Sequence, residues 1–117
     1  MTGSVETISP SQLPEVIAGY LIAHAARDLD AAVSRYTEDA TVVDEAKTYR
    51  GPQQIRAWLD ISTSEYTYTL ELIGARRVDD AHYVAIEHLE GNFPGGSADL
   101  DFTFTLKDDM IVRLAIT

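Results

Sequence analysis

Tyr36-Thr37-Glu38-Asp39-Ala40-Thr41-Val42-Val43-Asp44 decides how this chain is read, because here an apolar strand ends on an aspartate. Arg50-Gly51-Pro52-Gln53-Gln54-Ile55 follows and opens a helix. Upstream, Leu13, Val16, Ile17, Tyr20, Leu21 and His24 recur at helical spacing. They form one apolar stripe on a first helix that starts after Ser11 and carries Pro14 in its first turn. Asp28-Leu29-Asp30 caps a shorter second helix, with Leu29, Val33 and Tyr36 turned inward. The strand is expected over Thr41 to Ala46, and a turn at Tyr49-Arg50-Gly51. Ile55, Trp58, Leu59 and Ser62 share a face of the third helix. A carboxylate at the inner end of such a strand is either the base of a pocket or a polar edge, and that choice separates an enzyme from a structural domain.

After Ser64 the period changes from helical to two. Alternation runs from Tyr66 to Ile73, from His82 to Leu89 and from Leu100 to Leu106, and a last strand runs from Met110 to Ile116. Asp79-Asp80, the stretch Gly91 to Ser97 and Asp108-Asp109 are the turns between them. The order is α-α-β-α followed by four consecutive antiparallel strands, an α+β architecture. Parity turns Leu100, Phe102, Phe104 and Leu106 towards the helices, and Asp99, Asp101, Thr103 and Thr105 away from them. In the last strand Val112, Leu114 and Ile116 are expected inward, opposed by Ile111, Arg113 and Ala115. Val84, Ile86 and His88 are assigned to the same concave side. The other face is rich in Thr, Tyr and Ile, which makes a homodimer the expected assembly. Residues 1–12 read as a flexible polar lead-in and 13–117 as a single domain.

A chain of 117 residues can bury an apolar core without staples, and its 45% hydrophobic content is ordinary for a globular domain. It has no cysteine, which excludes disulfides, thiol nucleophiles and thiolate metal sites. The net charge of −10 repels phosphate backbones, and Arg76-Arg77 is the only basic pair, so no nucleic-acid partner is expected. No apolar run approaches the roughly 20 residues that span a bilayer. The first residues lack a basic segment followed by an apolar one, so no membrane association and a cytoplasmic location are the expectation. Histidine and carboxylate spacings give no convincing metal-ligand set, and glycine-rich phosphate loops and serine-nucleophile signatures are missing.

The element order, the Tyr-x-x-Asp-Ala-x-x-x-Asp segment ending at Asp44 and the Arg-Gly-x-x-x-Ile start at Arg50 together resemble the NTF2-like superfamily. Within it they resemble the SnoaL-like and ketosteroid isomerase-like groups. The resemblance is closest from Tyr20 to Leu59. It implies a cone of three N-terminal helices packed on a curved, mostly antiparallel sheet, enclosing a pocket for a small apolar molecule, commonly in a dimer; no cofactor is expected. Ketosteroid isomerases place an oxyanion-stabilising tyrosine on the first helix and a general-base aspartate at the end of the first strand. Those positions fall on Tyr20 and Asp44, and Tyr36 falls where some of these isomerases keep a supporting tyrosine. The protonated acid that helps hold the oxyanion falls near Phe102, so activity on a steroid enone is expected to be weak.

Removing a proton next to a carbonyl needs a carboxylate within hydrogen-bond reach of it. Asp44 fits that role, against the alternative of a strand-end aspartate bonded to a helix amide or to Arg50. Tyr20 is an electrophilic hydrogen-bond donor or a core tyrosine with a satisfied hydroxyl. His88, as a strand imidazole, is an acid, a base or a wall residue. His24, one turn beyond Tyr20, reads as a core or helix-end histidine. Val42, Trp58, Val84, Ile86 and Phe102 are the expected walls, with Tyr36 mainly packing. The resulting expectation is an isomerase- or cyclase-type enzyme that abstracts a proton next to a carbonyl of a small apolar substrate. The alternatives are a non-catalytic ligand-binding or dimerisation module on the same fold, and a dehydratase or hydrolase using Asp44 and His88.

Overall fold

A computed structural model describes residues 5–64 and 67–117. The chain runs β1 (Glu6–Ile8), a 3-10 turn (Pro10–Gln12), α1 (Glu15–Ala25), α2 (Leu29–Val33), β2 (Tyr36–Asp44), β3 (Lys47–Arg50), α3 (Gly51–Ser64), β4 (Tyr68–Arg77), β5 (His82–Gly91), β6 (Ser97–Lys107) and β7 (Met110–Ile116). The strands form one sheet in the order β1-β4-β5-β6-β7-β2-β3. Every pairing is antiparallel except β2 with β7, so the sheet is mixed. The fold is α+β, with three α-helices interleaved among the first four strands. No helix among the described residues is long and apolar enough to cross a membrane.

Local chemistry sets the boundaries. Arg27, at φ 59°, stops α1, and the Asp28 amide bonds back to the Ala23 carbonyl at 2.9 Å. Asp28 then caps α2, its carboxylate accepting from the Ala31 amide at 3.2 Å. Gly51, at φ +83°, makes the corner between β3 and α3, a conformation that a Cβ disfavours. The side chain of Gln54 accepts from the Arg50 amide at 2.8 Å and closes the same corner.

The core lies between helices and sheet. Ile17, Tyr20, Val42, Ile55, Leu59, Phe104, Ile111 and Leu114 are its largest fully buried side chains, and Leu21, Trp58 and Phe102 are buried with them. Asp99 and Asp101 stand outside it, on the far face of β6, as parity requires.

Five sequence readings change. Residues 1–12 were expected to be a lead-in, yet Glu6–Ile8 adds an edge strand to β4, with Ile8 opposite Ala75; residues 1–4 lie outside the described residues. Strand β2 starts at Tyr36, not Thr41, and Lys47–Arg50 is a strand where a turn was expected. Glu45 and Ala46 both have positive φ and make a two-residue hairpin turn without the usual Asn-Gly or Asp-Gly signature, so the sequence hid it. In β7, Arg113 pairs with Thr105 but Ile111 pairs with Leu106, which makes Val112 the extra residue of a bulge. Ile111 therefore turns inward beside Leu114. Finally, β4 begins at Tyr68; Tyr66, where alternation was expected to start, lies outside the described residues.

Candidate functional site

Asp44 is the last residue of β2 and shares the inward parity of Ala40 and Val42. Helix α3 packs across β2 and presents Ile55, Trp58 and Leu59 as its buried stripe. A buried indole N–H needs an acceptor. Trp58 Nε1 finds one in Asp44 Oδ2, donating at 3.0 Å. Among the described residues Oδ1 accepts no hydrogen bond.

The carboxylate borders a cavity of about 680 Å³. Its walls are His24 from α1, Trp58 from α3, Tyr49 from β3, Tyr68 from β4 and Leu100 and Phe102 from β6. Glu45 and Lys47, exposed on the hairpin after Asp44, also border it. Aromatic and aliphatic walls interrupted by a few convergent polar groups are the usual form of a small-molecule site. Among the described residues no three His, Asp or Glu side chains come together as a metal-binding group.

His24 is buried, with its ring edge-on to Tyr20 (centroids 5.7 Å) and to Trp58 (6.0 Å) and tilted on Phe102 (5.9 Å). Burial lowers its pKa from 6.5 to about 4, so the imidazole is neutral at pH 7. Tyr20 is fully buried between Tyr36, His24 and Phe104 and does not line the cavity. Burial raises its phenol well above the ordinary range. The nearby Tyr36 hydroxyl offsets part of that rise, and Tyr68 and Asp44 add to it. Burial likewise raises Tyr36. The two hydroxyls are close enough to affect each other's ionisation but not in hydrogen-bonding geometry. Neither has a partner, nor does His24 Nδ1. Val42 and Tyr36 are core residues, not cavity walls.

His88, Val84 and Ile86 are not at the site. Ala85 pairs with Phe102 and Glu87 with Leu100, so the odd-numbered residues of β5 face the helices and the even-numbered ones face away. His88 meets Asp99 Oδ1 at 2.5 Å and Glu90 Oε2 at 3.0 Å on the far face. Those two carboxylates, Asp99 foremost, raise its pKa. No Asp44–His88 pair exists. Both faces of β5 are partly apolar, so alternation alone could not choose between them; pairing with Phe102 does. The residue that this parity error concealed is Glu87, only 2% exposed between Leu72 of β4 and Leu100. Burial raises its carboxyl from 4.5 to about 7.

With 29% identity and a TM-score of 0.88, a proposed polyketide cyclase from Sinorhizobium meliloti covers 94% of this chain and matches over 100% of its own. A protein of ketosteroid isomerase-like fold from Catenulispora acidiphila, bound to trimethylamine, has 18% identity and a TM-score of 0.79, over 91% of this chain and 86% of its own. The Δ5-3-ketosteroid isomerase of a Mycobacterium species has 16% identity and a TM-score of 0.71, over 87% and 88%. The last two likenesses are of fold alone. No curated protein sequence matches the chain. The SnoaL-like domain family matches residues 17–114, which takes in most of α1, the strand ending at Asp44 and nearly all of the sheet, and the chain belongs to that family.

Proposed function

We propose that this chain is a cofactor-independent enzyme of isomerase or cyclase type, in which Asp44 removes a proton next to the carbonyl of a small apolar substrate. One observation carries the reading: a carboxylate with one oxygen held by Trp58 Nε1 borders a cavity walled mainly by aromatic and aliphatic side chains. The indole fixes the carboxylate's orientation, and Oδ1 is left to take the proton. The resemblance to a proposed polyketide cyclase and to a ketosteroid isomerase agrees with chemistry that starts from an enolate. Proton–deuterium exchange at the α-carbon of small cyclic enones and β-keto esters, followed by NMR, tests it. Exchange should be catalysed by the protein and lost in Asp44→Asn; equal exchange in both proteins would sink the reading.

A second reading rests on Phe102. It borders the cavity where ketosteroid isomerases keep their second acid, which leaves one oxyanion donor fewer than in that reaction. A non-catalytic ligand-binding module on the same fold has no need of that donor. Tight binding of a small apolar ligand, unchanged by Asp44→Asn and without turnover, would favour it.

We also propose that two copies pair through the sheet face away from the helices. Ile73, the 48%-exposed bulge residue of β4, and Ile86 lie on that face, Ile86 between Gly74 of β4 and Asp101 of β6.

A further inference from the structure

We propose that the His24 imidazole is the hydrogen-bond donor that holds the substrate's carbonyl oxygen while Asp44 removes the neighbouring proton. The proposal rests on the reading of Asp44 as base and names a group for the other half of the site. Its substrates are small, flat carbonyl compounds whose enolate oxygen is held by a neutral donor.

Position is the first ground. Of the two polar side chains on the inner stripe of α1, His24 borders the cavity and Tyr20 does not. His24 rests on Phe102, which is itself a wall of the cavity. Its other neighbour, Trp58, holds Asp44. A single indole therefore links imidazole and carboxylate along one wall, as base and oxyanion donor must be arranged around one carbonyl and its α-carbon.

The second ground is an unmet hydrogen-bonding capacity. His24 makes no hydrogen bond among the described residues, and Nδ1 is sealed in without a partner. Nε2 is then the ring nitrogen left to meet the cavity. Buried polar groups are nearly always satisfied, and a ligand oxygen at Nε2 would supply what the protein does not.

The third is charge. An imidazolium here would put a positive charge on the wall of the cavity that Asp44 borders and weaken the carboxylate as a base. Burial keeps the ring neutral, so it can donate an N–H to a developing oxyanion without that penalty. In the step itself the Asp44 carboxylate takes the α-proton, and the C–H electron pair becomes the C=C bond of the enolate. The carbonyl π pair moves onto oxygen, where the His24 N–H holds it. Returning the proton to another carbon frees the carboxylate, and His24 neither gains nor loses a proton.

The probe is 4-nitrophenolate, an aromatic oxyanion of the enolate's shape, titrated into Asp44→Asn protein so that no carboxylate repels it. Adding His24→Phe should raise the dissociation constant at least tenfold, and adding His24→Gln, which keeps an N–H donor, should recover part of the loss. In protein labelled with 15N-histidine, bound 4-nitrophenolate should shift the His24 ring nitrogens while the ring stays neutral. This needs no change at His24 and so does not depend on how the Phe variant folds. A folded His24→Phe protein that binds within twofold of its parent, an unmoved His24 signal at saturation, or no binding at all would overturn the proposal. Failure of the Asp44 reading shows separately, as α-proton exchange that survives Asp44→Asn.

Discussion

The Trp58 indole and the Asp44 carboxylate meet at 3.0 Å, and this bond joins the core of α3 to the end of β2 at the edge of the cavity. Hydrogen bonds to charged groups contribute about 1.5–3 kcal/mol, less where one partner keeps solvent contact. Trp58→Phe retains most of the ring packing and removes only the donor. It should lower unfolding stability by about 1–2 kcal/mol in denaturant titration. It should also slow α-proton exchange about tenfold or more, because the freed carboxylate loses its fixed orientation. Unaltered exchange would mean that the indole does not position the base.

Gly51 follows Arg50 for a conformational reason: the corner into α3 needs a residue at φ +83°. In Gly51→Ala the new Cβ has room, with Glu38 O the nearest atom at 3.6 Å, so the cost is the backbone conformation alone. That cost is about 1–2 kcal/mol and should appear as a melting temperature lowered by several degrees. A melting temperature equal to the parent's would show that the corner relaxes to negative φ.

Ile73→Lys tests the proposed dimer. Ile73 is half exposed, so the substitution should change monomer stability by no more than about 0.5 kcal/mol. A lysine in a closed apolar interface would separate the copies, and sedimentation should show a shift from dimer to monomer. An unchanged sedimentation profile would place any assembly on another surface.

Much of this was legible in the sequence, for identifiable reasons. Leu100, Phe102, Phe104 and Leu106 alternate against acids and threonines, so only one assignment of faces was open, and it holds. Asp44 and Trp58 were found by strand parity and helical phase, and both border the cavity. Strand β5 misled because Val84 and Ile86 outweigh Tyr83 and Ala85 in apolarity, and a register set by long-range pairing overrides that preference. The same error put His88 in the pocket and hid Glu87. The sequence reads His24 as a core or helix-end histidine, and it is buried in the core. Its place on the cavity wall depends on how α1 lies over Phe102, a tertiary relationship that no local period encodes.

His24 and Glu87 give the protein two opposed pH dependences. Glu87 titrates at about 7 when folded against an ordinary value of 4.5, so between those values the unfolded chain has lost a proton that the native state keeps. Its effect on stability is nil below pH 4.5, grows unfavourable as pH rises and levels off above about 7, at about 3 kcal/mol. His24 titrates at about 4 when folded against 6.5, so between those values the unfolded chain holds the extra proton. Its effect is nil above pH 6.5 and grows unfavourable as pH falls towards 4, to a similar total of about 3 kcal/mol. The windows overlap between about pH 4.5 and 6.5, where the two slopes have opposite signs and cancel. Stability of the unaltered protein should therefore change little from these two groups across that range. Glu87→Gln keeps the shape and removes one slope. Denaturant titration should find it equal to the parent near pH 4 and more stable by up to about 3 kcal/mol at pH 8, with a clear loss of stability from pH 6.5 downward that the parent does not show. Parallel pH profiles for the two proteins would mean that Glu87 is ionised in the folded state at neutral pH and that its burial costs nothing.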